Sequence, residues 1–322
     1  MQEQCVVGVD LGGTKALAGV VAADGAVLHR GFRLVPKGAN TEAVIELLCE
    51  SVAEAEQATG AQAAAVGLGI PSLVDKDTGR AGSTTHLPLR DVPVRDLLSE
   101  RLGVPVAVAN DATCAIVSEH RAGAAQGTDT ALLITIGTGI GGGIVTHGKV
   151  LHGASGAAAE FGHMTFDPDG GPCKGDCPNH GCWEHSVSGT ALGRAVREAA
   201  EADPDSTLAR AGAEGRTLDG SLATELAHDG DGLSRELIEE MGRKLGIGLA
   251  NLVNVFNPEV IVIGGGAMAA GELLLAPARQ VVSERALSPS RDDVRIVATH
   301  FGDAAGMIGA AMLAGDRLEA GT

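Results

Sequence analysis

Cys5-Val6-Val7-Gly8-Val9-Asp10-Leu11-Gly12-Gly13-Thr14-Lys15-Ala16-Leu17-Ala18-Gly19-Val20-Val21 is the stretch on which the fold turns. Cys5 to Asp10 is an apolar β-type run, Lys15 to Ala22 is a second, and Gly12-Gly13 breaks the chain between them. Asp24-Gly25 then gives a hairpin signal before a third run from Ala26 to Phe32. The same order recurs downstream. Ala131 to Ile136 reads as a strand, Gly137-Thr138-Gly139 as a glycine turn, and Gly143 to Thr146 as a strand. His147-Gly148 makes a tight turn before Lys149 to His152. Gly19-Val20-Val21 matches Gly143-Ile144-Val145, and Asp24 to His29 matches His147 to His152, at an offset of 123 to 124 residues. Two hairpins can agree by chance. Five elements in one order read as a duplication.

Outward from these hairpins, strand and helix signals alternate. Thr41 to Thr59 has helical spacing, Ala63 to Ile70 reads as a buried strand stopped by Pro71, and Val92 to Leu102 is helical. Val104 to Ala109 reads as a strand and Ala112 to Arg121 as a helix. A long amphipathic helix from Leu233 to about Phe256 ends at Asn257-Pro258. Val260 to Ile263 is a strand entering Gly264-Gly265-Gly266, and Asp303 to about Leu318 is a small-residue helix. Such alternation predicts α/β layers. Gly153 to Ser188, rich in Gly, Pro, Cys and His, reads as a loop-rich insertion of functional or metal-stapled type.

Composition narrows the function. The 322 residues are 44% hydrophobic and 20% charged, the balance of a globular protein with a sizeable core. One Trp, five Phe and no Tyr leave no base-stacking platform for single-stranded nucleic acid. With 24 Lys plus Arg against 41 Asp plus Glu, the net charge of −17 repels phosphate backbones and anionic membranes. No apolar run approaches the roughly 18 residues of a membrane span. The start shows no basic n-region or apolar h-region, so a cytoplasmic location is expected. The six cysteines then read as thiols or metal ligands.

Three constellations carry chemistry. Asp10-Leu11-Gly12-Gly13-Thr14-Lys15 is a turn whose N–H groups can cradle phosphate and whose Asp can position a metal ion or its waters. An ordinary hairpin turn is the plain alternative. Gly137-Thr138-Gly139-Ile140-Gly141-Gly142 formally fits G-x-G-x-x-G, with Glu160 about 20 residues on, as a dinucleotide fingerprint requires. That fingerprint needs a helix next, and Gly143-Ile144-Val145-Thr146 is a poor one. A second phosphate-facing hairpin fits better. His163, Cys173, Cys177 and Cys182 supply one imidazole and three thiolates, a donor set suited to a closed tetrahedral Zn²⁺ site. His180 and His185 compete as ligands. Cys5, Cys49 and Cys114 sit in apolar runs and are expected to be buried.

Taken with Asn110-Asp111, Glu160-Phe161-Gly162-His163, Gly181-Cys182-Trp183-Glu184, Ser188-Gly189 and Asn257-Pro258-Glu259, these motifs span nearly the whole chain. They resemble the ROK family of sugar kinases and sugar-responsive repressors, most closely its bacterial glucokinase branch. The resemblance implies a duplicated actin/hexokinase-like fold of the ribonuclease H-like type, two α/β domains around a central cleft. Its domains would be 1–115 plus 303–322 and 116–302, the latter with a zinc loop at about 153–188. It implies an ATP-dependent hexokinase with glucose as the first expectation, and fructose, mannose or an N-acetylhexosamine as alternatives.

Asp111 would be the catalytic base, although the start of the 112–121 helix explains it equally well as an N-cap. Asn110, Glu160, His163, Glu184 and His86 would bind sugar. Asp10, Gly12, Gly13, Thr14, Lys15, Gly137, Thr138, Gly139, Gly265 and Gly266 would face ATP and its Mg²⁺, with Zn²⁺ structural. A homo-oligomer, dimer or tetramer, is implied. Repressors of the family carry an N-terminal helix-turn-helix, for which Asp10 leaves no room in this sequence. The chain departs from the family pattern in the spacing Cys173-x-x-x-Cys177, two residues longer than usual, and in Pro178. It also has His86 before Leu87-Pro88 where Asn is common, and Ser72 after Pro71 where Gly is frequent.

Overall fold

Alternation along one strand decides how the first sheet is covered. In β2 (Lys15–Val21), Ala16, Ala18 and Val20 join a core with Val44, Ile45, Leu48 and Val52 of helix Thr41–Thr59 and Leu98 of helix Val94–Leu102. Leu17 and Val21 point the other way, onto Met307, Ile308 and Ala311 of the C-terminal helix Ala305–Ala320. Strand side chains alternate between faces, so one sequence serves two layers. The computed structural model describes residues 4–22, 25–82, 87–175 and 177–320.

The sheet runs β3 (Val27–Leu34), β2, β1 (Gln4–Leu11), β4 (Gln62–Ile70), β5 (Val106–Asn110). The β1–β2 and β2–β3 pairs are antiparallel, whereas β1, β4 and β5 are parallel. The second sheet runs β10 (Arg295–Ala298), β9 (Val260–Gly264), β6 (Ala131–Ile136), β7 (Ile140–Thr146), β8 (Lys149–Val150). Counted within its own half, each sheet has the order 3-2-1-4-5. The duplication read from two hairpins therefore extends over two whole sheets.

Two compact units result, one comprising Met1–Leu133, Gly143–Ala159 and Thr299–Thr322, the other Ile134–Gly142 and Glu160–Ala298. In the first unit the C-terminal helix sits directly on strand glycines. A Cβ at Gly8 would run into the Met307 carbonyl, one at Gly67 into the Ala310 carbonyl, and one at Gly309 into the Cys114 carbonyl. Nearby, the fully buried Glu119 accepts hydrogen bonds from Ala124 N, His300 N, Phe301 N and Thr299 Oγ1. Those donors satisfy a carboxylate that would otherwise be costly to bury. In the second unit, Gly242 and Gly246 of helix Gly232–Phe256 lie against the Leu274 and Ala278 carbonyls of helix Glu272–Arg285.

Several expectations change. β7 begins at Ile140 rather than Gly143, so Gly141 and Gly142 lie within the strand rather than ahead of it. Room holds position 143 to glycine: a Cβ there would lie 2.6 Å from Ile116 Cγ2. Helices Gly189–Ala202, Thr207–Ala213, Gly220–His228 and Glu272–Arg285 were not apparent in the sequence. The first three bury mainly alanine and single leucines, and Pro277 interrupts the fourth without ending it. Cys114 is buried as expected, but Cys5 and Cys49 are only half-buried. No helix among the described residues is long and apolar enough to cross a membrane.

Gly67→Ala should destabilise the protein by about 1–3 kcal/mol, the usual cost of overpacking a closed contact. Gly232→Ala, at a site with nothing within 4 Å and no left-handed φ, controls for glycine loss alone. Denaturant midpoints for the two variants make the comparison. Equal midpoints for Gly67→Ala and wild type would mean that the helix is not held against the strand.

Candidate active site and metal centre

In the first unit, three parallel strands end together. The register pairs Asp10 of β1 with Gly69 of β4, and Ile70 of β4 with Asn110 of β5. Gly69 is the spacer. A Cβ there would lie 3.6 Å from Asp10 Oδ1 and 3.5 Å from Asp111 Cα, so two acidic residues flank one small residue. Gly306, in the first turn of the C-terminal helix, closes over the same carboxyl: its Cβ would stand 2.8 Å from Asp10 Cγ. Burial, and then the negative charge of Asp111, push the Asp10 carboxyl up to about 7, with Lys15 acting in the opposite direction.

The structure gives the capping role to Asn110. Its Oδ1 accepts from Ala112 N at 2.9 Å and Thr113 N at 3.1 Å, while its Nδ2 donates to the Ser72 carbonyl at 3.3 Å. Asp111 is the first helical residue, and its Oδ1 accepts from Ala112 N at 2.8 Å. The N-cap alternative for Asp111 therefore belongs to its neighbour. Gly12, Gly13, Thr14 and Lys15 form the β1–β2 turn, closed by Gly12 N donating to the Lys15 carbonyl at 2.8 Å. Gly13, Thr14 and Lys15 are exposed. His86 lies outside the described residues.

In the second unit, the Gly137-Thr138-Gly139 turn follows β6, and Gly265-Gly266 follows β9, its neighbour in the sheet. Gly265 has φ +86°, and a Cβ on it would stand 2.5 Å from the Ile136 carbonyl oxygen, so only glycine fits this approach. Ligands of α/β sheets bind at such carboxyl ends of strands. Gly189 N donates to the Gly137 carbonyl at 2.7 Å, and Thr190 Oγ1 donates to the Thr138 carbonyl at 2.7 Å. Thr190 was not singled out by the sequence. Its only signal is its place two residues after Ser188, the N-cap of helix Gly189–Ala202.

The donor atoms of His163, Cys173, Cys177 and Cys182 all lie within 4.8 Å of one another. Cys177 Sγ and Cys182 Sγ are 3.9 Å apart, and Cys173 Sγ is 3.5 Å from His163 Nδ1. Tetrahedral Zn²⁺ with bonds of about 2.3 Å to sulfur and about 2.0 Å to nitrogen needs edges of about 3.8 and 3.5 Å. The donor set fits. His180 and His185 stand outside the group of four. Short pairings shape the loop: Phe166 N and Asp167 N donate to the Gly181 carbonyl, Cys173 N to the Asn179 carbonyl, and Asn179 Nδ2 to the His163 carbonyl. Gly181, at φ +60°, has no room for a side chain against Asp167.

Two further predicted residues gather at this cluster. His163 Nε2 is 3.8 Å from Glu160 Oε2, and His163 Nδ1 is 3.9 Å from Glu184 Oε1. Partial burial, and secondarily Glu184, hold the Glu160 carboxyl above its usual range, with His163 opposing them. Ala159, just before it, adopts φ +69°, a left-handed conformation uncommon outside glycine.

A family model described as the ROK family matches residues 6–317. The glucokinase of Thermotoga maritima is 34% identical over 97% of this chain and 98% of that protein. A ROK family glucokinase from Streptomyces griseus, solved in complex with glucose and AMPPNP, superimposes with a TM-score of 0.87. It is 36% identical over 97% of this chain and 99% of that one. The xylose repressor of Caldicellulosiruptor bescii is 29% identical over 97% of this chain but 79% of that protein. The two five-stranded sheets thus have the duplicated actin/hexokinase-like fold that the resemblance implied.

A carboxyl raised from 3.8 to about 7 binds its proton more tightly in the folded state. Its contribution to stability is present at low pH and is lost as pH rises toward 7. Relative to Asp10→Asn, the wild type should lose stability across that window, by at most about 1.4 kcal/mol per pH unit. Denaturant titrations from pH 4 to 8 without Mg²⁺ or nucleotide measure the difference. A gap that stays constant with pH would return Asp10 to an ordinary carboxylate.

Proposed function

The chain belongs to the ROK family, and on that footing we propose that it is an ATP-dependent hexose kinase converting glucose to glucose 6-phosphate. The observation that carries the reading is the pair Asp10 and Asp111 on either side of Gly69, at the ends of parallel strands. One carboxylate serves as base, and the other as the seat for a cation or its waters.

In this reading Asp111 accepts the proton of the sugar's primary hydroxyl as its oxygen attacks the γ-phosphorus. The new O–P bond forms while the bond to ADP breaks. A hydroxyl is a weak nucleophile, so the waiting carboxylate is what lets the attack proceed. The Ala112 amide fixes the orientation of that carboxylate. Asn110, Glu160, His163 and Glu184 bind sugar hydroxyls, and His86 contributes to sugar choice. The turns at Gly12 to Lys15, Gly137 to Gly139 and Gly265-Gly266 offer amides to the nucleotide phosphates. Asp10 would hold the Mg²⁺ carried with ATP, or its waters, and that ion would supply charge neutralisation for the transferring phosphoryl group. His163, Cys173, Cys177 and Cys182 would hold Zn²⁺ in a closed site, where it would contribute to folding rather than to the reaction.

Asp111→Asn should leave the glucose Kd nearly unchanged while kcat falls about 10²- to 10⁴-fold, the usual size of a lost general base. A coupled assay over glucose, fructose, mannose and N-acetylhexosamines, with calorimetry for binding, reads both effects. Near-wild-type turnover in folded Asp111→Asn would remove it from the role of base. Elemental analysis should find about one Zn²⁺ per chain. Cys177→Ala should lose it together with thermal stability, and a fully stable zinc-free protein would refute the metal assignment.

A further inference from the structure

The nine residues from Cys182 to Thr190 start on a metal donor and end on the glycine turn. Cys182 belongs to the donor group of four. Downstream of it, three contacts hold the turn: Gly189 N to the Gly137 carbonyl, Thr190 Oγ1 to the Thr138 carbonyl, and Ile140 N to Glu184 Oε2 at 3.4 Å. Glu184 faces both ways. A Cβ on Gly139 would stand 2.5 Å from its Oε2, while its Oε1 is 3.4 Å from Cys173 Sγ and 3.9 Å from His163 Nδ1.

The loop that supplies the donors has no core of its own. Among its described residues from 163 to 180, none is buried. Segments with few buried apolar contacts open at low free energy unless something else fixes them. Four metal bonds would add to the few hydrogen bonds that shape the loop, and metal binding in such loops is coupled to their folding.

We infer that metal occupancy orders the 137–140 turn through the 182–190 strap, so that binding of metal and binding of nucleotide phosphate reinforce each other. Thr190 and Gly139 are positioning residues in this linkage. The inference rests on the reading of Gly137 to Gly139 as phosphate-facing. Its sign follows from shared ordering: the first ligand immobilises the strap, and the second no longer has to. Linkage makes the effect reciprocal.

Calorimetric titration of Mg²⁺–ADP into the full chain, Zn²⁺-loaded or stripped and dialysed, measures one side. Stripping should weaken ADP binding about fivefold or more, within the usual span of coupling factors. Transfer of Zn²⁺ to a chromogenic chelator, with and without ADP, measures the other. ADP should slow transfer. Gly139→Ala should speed it, although Gly139 is no ligand, because the added methyl displaces the carboxylate that lies against Cys173 and His163. Thr190→Val should weaken ADP binding about three- to tenfold, the loss of one hydrogen bond, and Thr190→Ser should restore it.

Equal ADP affinity in loaded and stripped protein, or unchanged Zn²⁺ transfer in Gly139→Ala, overturns the coupling. If the stripped chain unfolds, Zn²⁺ transfer from the loaded variants decides alone. Thr138→Ala separates the two levels of the argument. Weaker ADP binding there, with metal and ADP independent, removes the coupling and keeps the phosphate reading. Unchanged ADP binding in Thr138→Ala, with Thr190→Val also silent, removes the phosphate reading and the coupling with it.

Discussion

The closest packing in the first unit is that of a helix on a floor of glycines. Gly8 and Gly67 let the backbone of Ala305–Ala320 reach β1 and β4, and Gly309 lets the same helix reach the helix that starts at Asp111. Interiors are packed like crystals, so a separation smaller by one methyl group is a specification rather than a detail. It puts Gly306 against the carboxyl of Asp10 and takes that half-buried group partly out of water. The perturbed acid is thus a consequence of small residues on a distant part of the chain. Glu119 secures the approach by binding the amides of His300 and Phe301, which lead into that helix.

What could be read in the sequence was what short range determines. The two hairpins carry their turns and strands within about 30 residues each, which is why the duplication showed through. The metal donors were legible for the same reason, since all four lie between His163 and Cys182. The pairing of Asp10 with Asp111 was hidden, because it depends on β4 lying between β1 and β5 in the sheet. Local pattern offered Asp111 as the cap, although Asn110 is as good a capping residue. The backbone chose: Asn110 is extended, at φ −63° and ψ 147°, and its side chain turns back onto the helix. Helix Glu272–Arg285 was hidden because its faces contrast weakly and Pro277 lies within it.

The two units stabilise their chemical groups by different means. In the first, apolar layers on both faces of the sheet fix the strand ends, and the carboxylates inherit that rigidity. In the second, Glu160 and His163 sit at the edge of a segment without apolar filling, where hydrogen-bonded turns and clustered thiols replace a core. Ala159, immediately before Glu160 in the chain, is strained. Its left-handed backbone costs about 1–2 kcal/mol relative to the ordinary helical basin, and it sets the direction in which Glu160 leaves the chain.

The scarcity of aromatic residues has a practical side. Trp183 sits between Cys182 and Glu184, fully buried, with its indole N–H donating to the Lys244 carbonyl at 3.3 Å and its ring pressed on Gly248. The chain has no other Trp and no Tyr. Ultraviolet emission from the entire molecule therefore comes from one fluorophore, covalently adjacent to a thiol donor on one side and a carboxylate on the other. Shifts in its colour, lifetime or quenching need no deconvolution and no attached dye: evolution has left a single lamp, and it stands beside the loop.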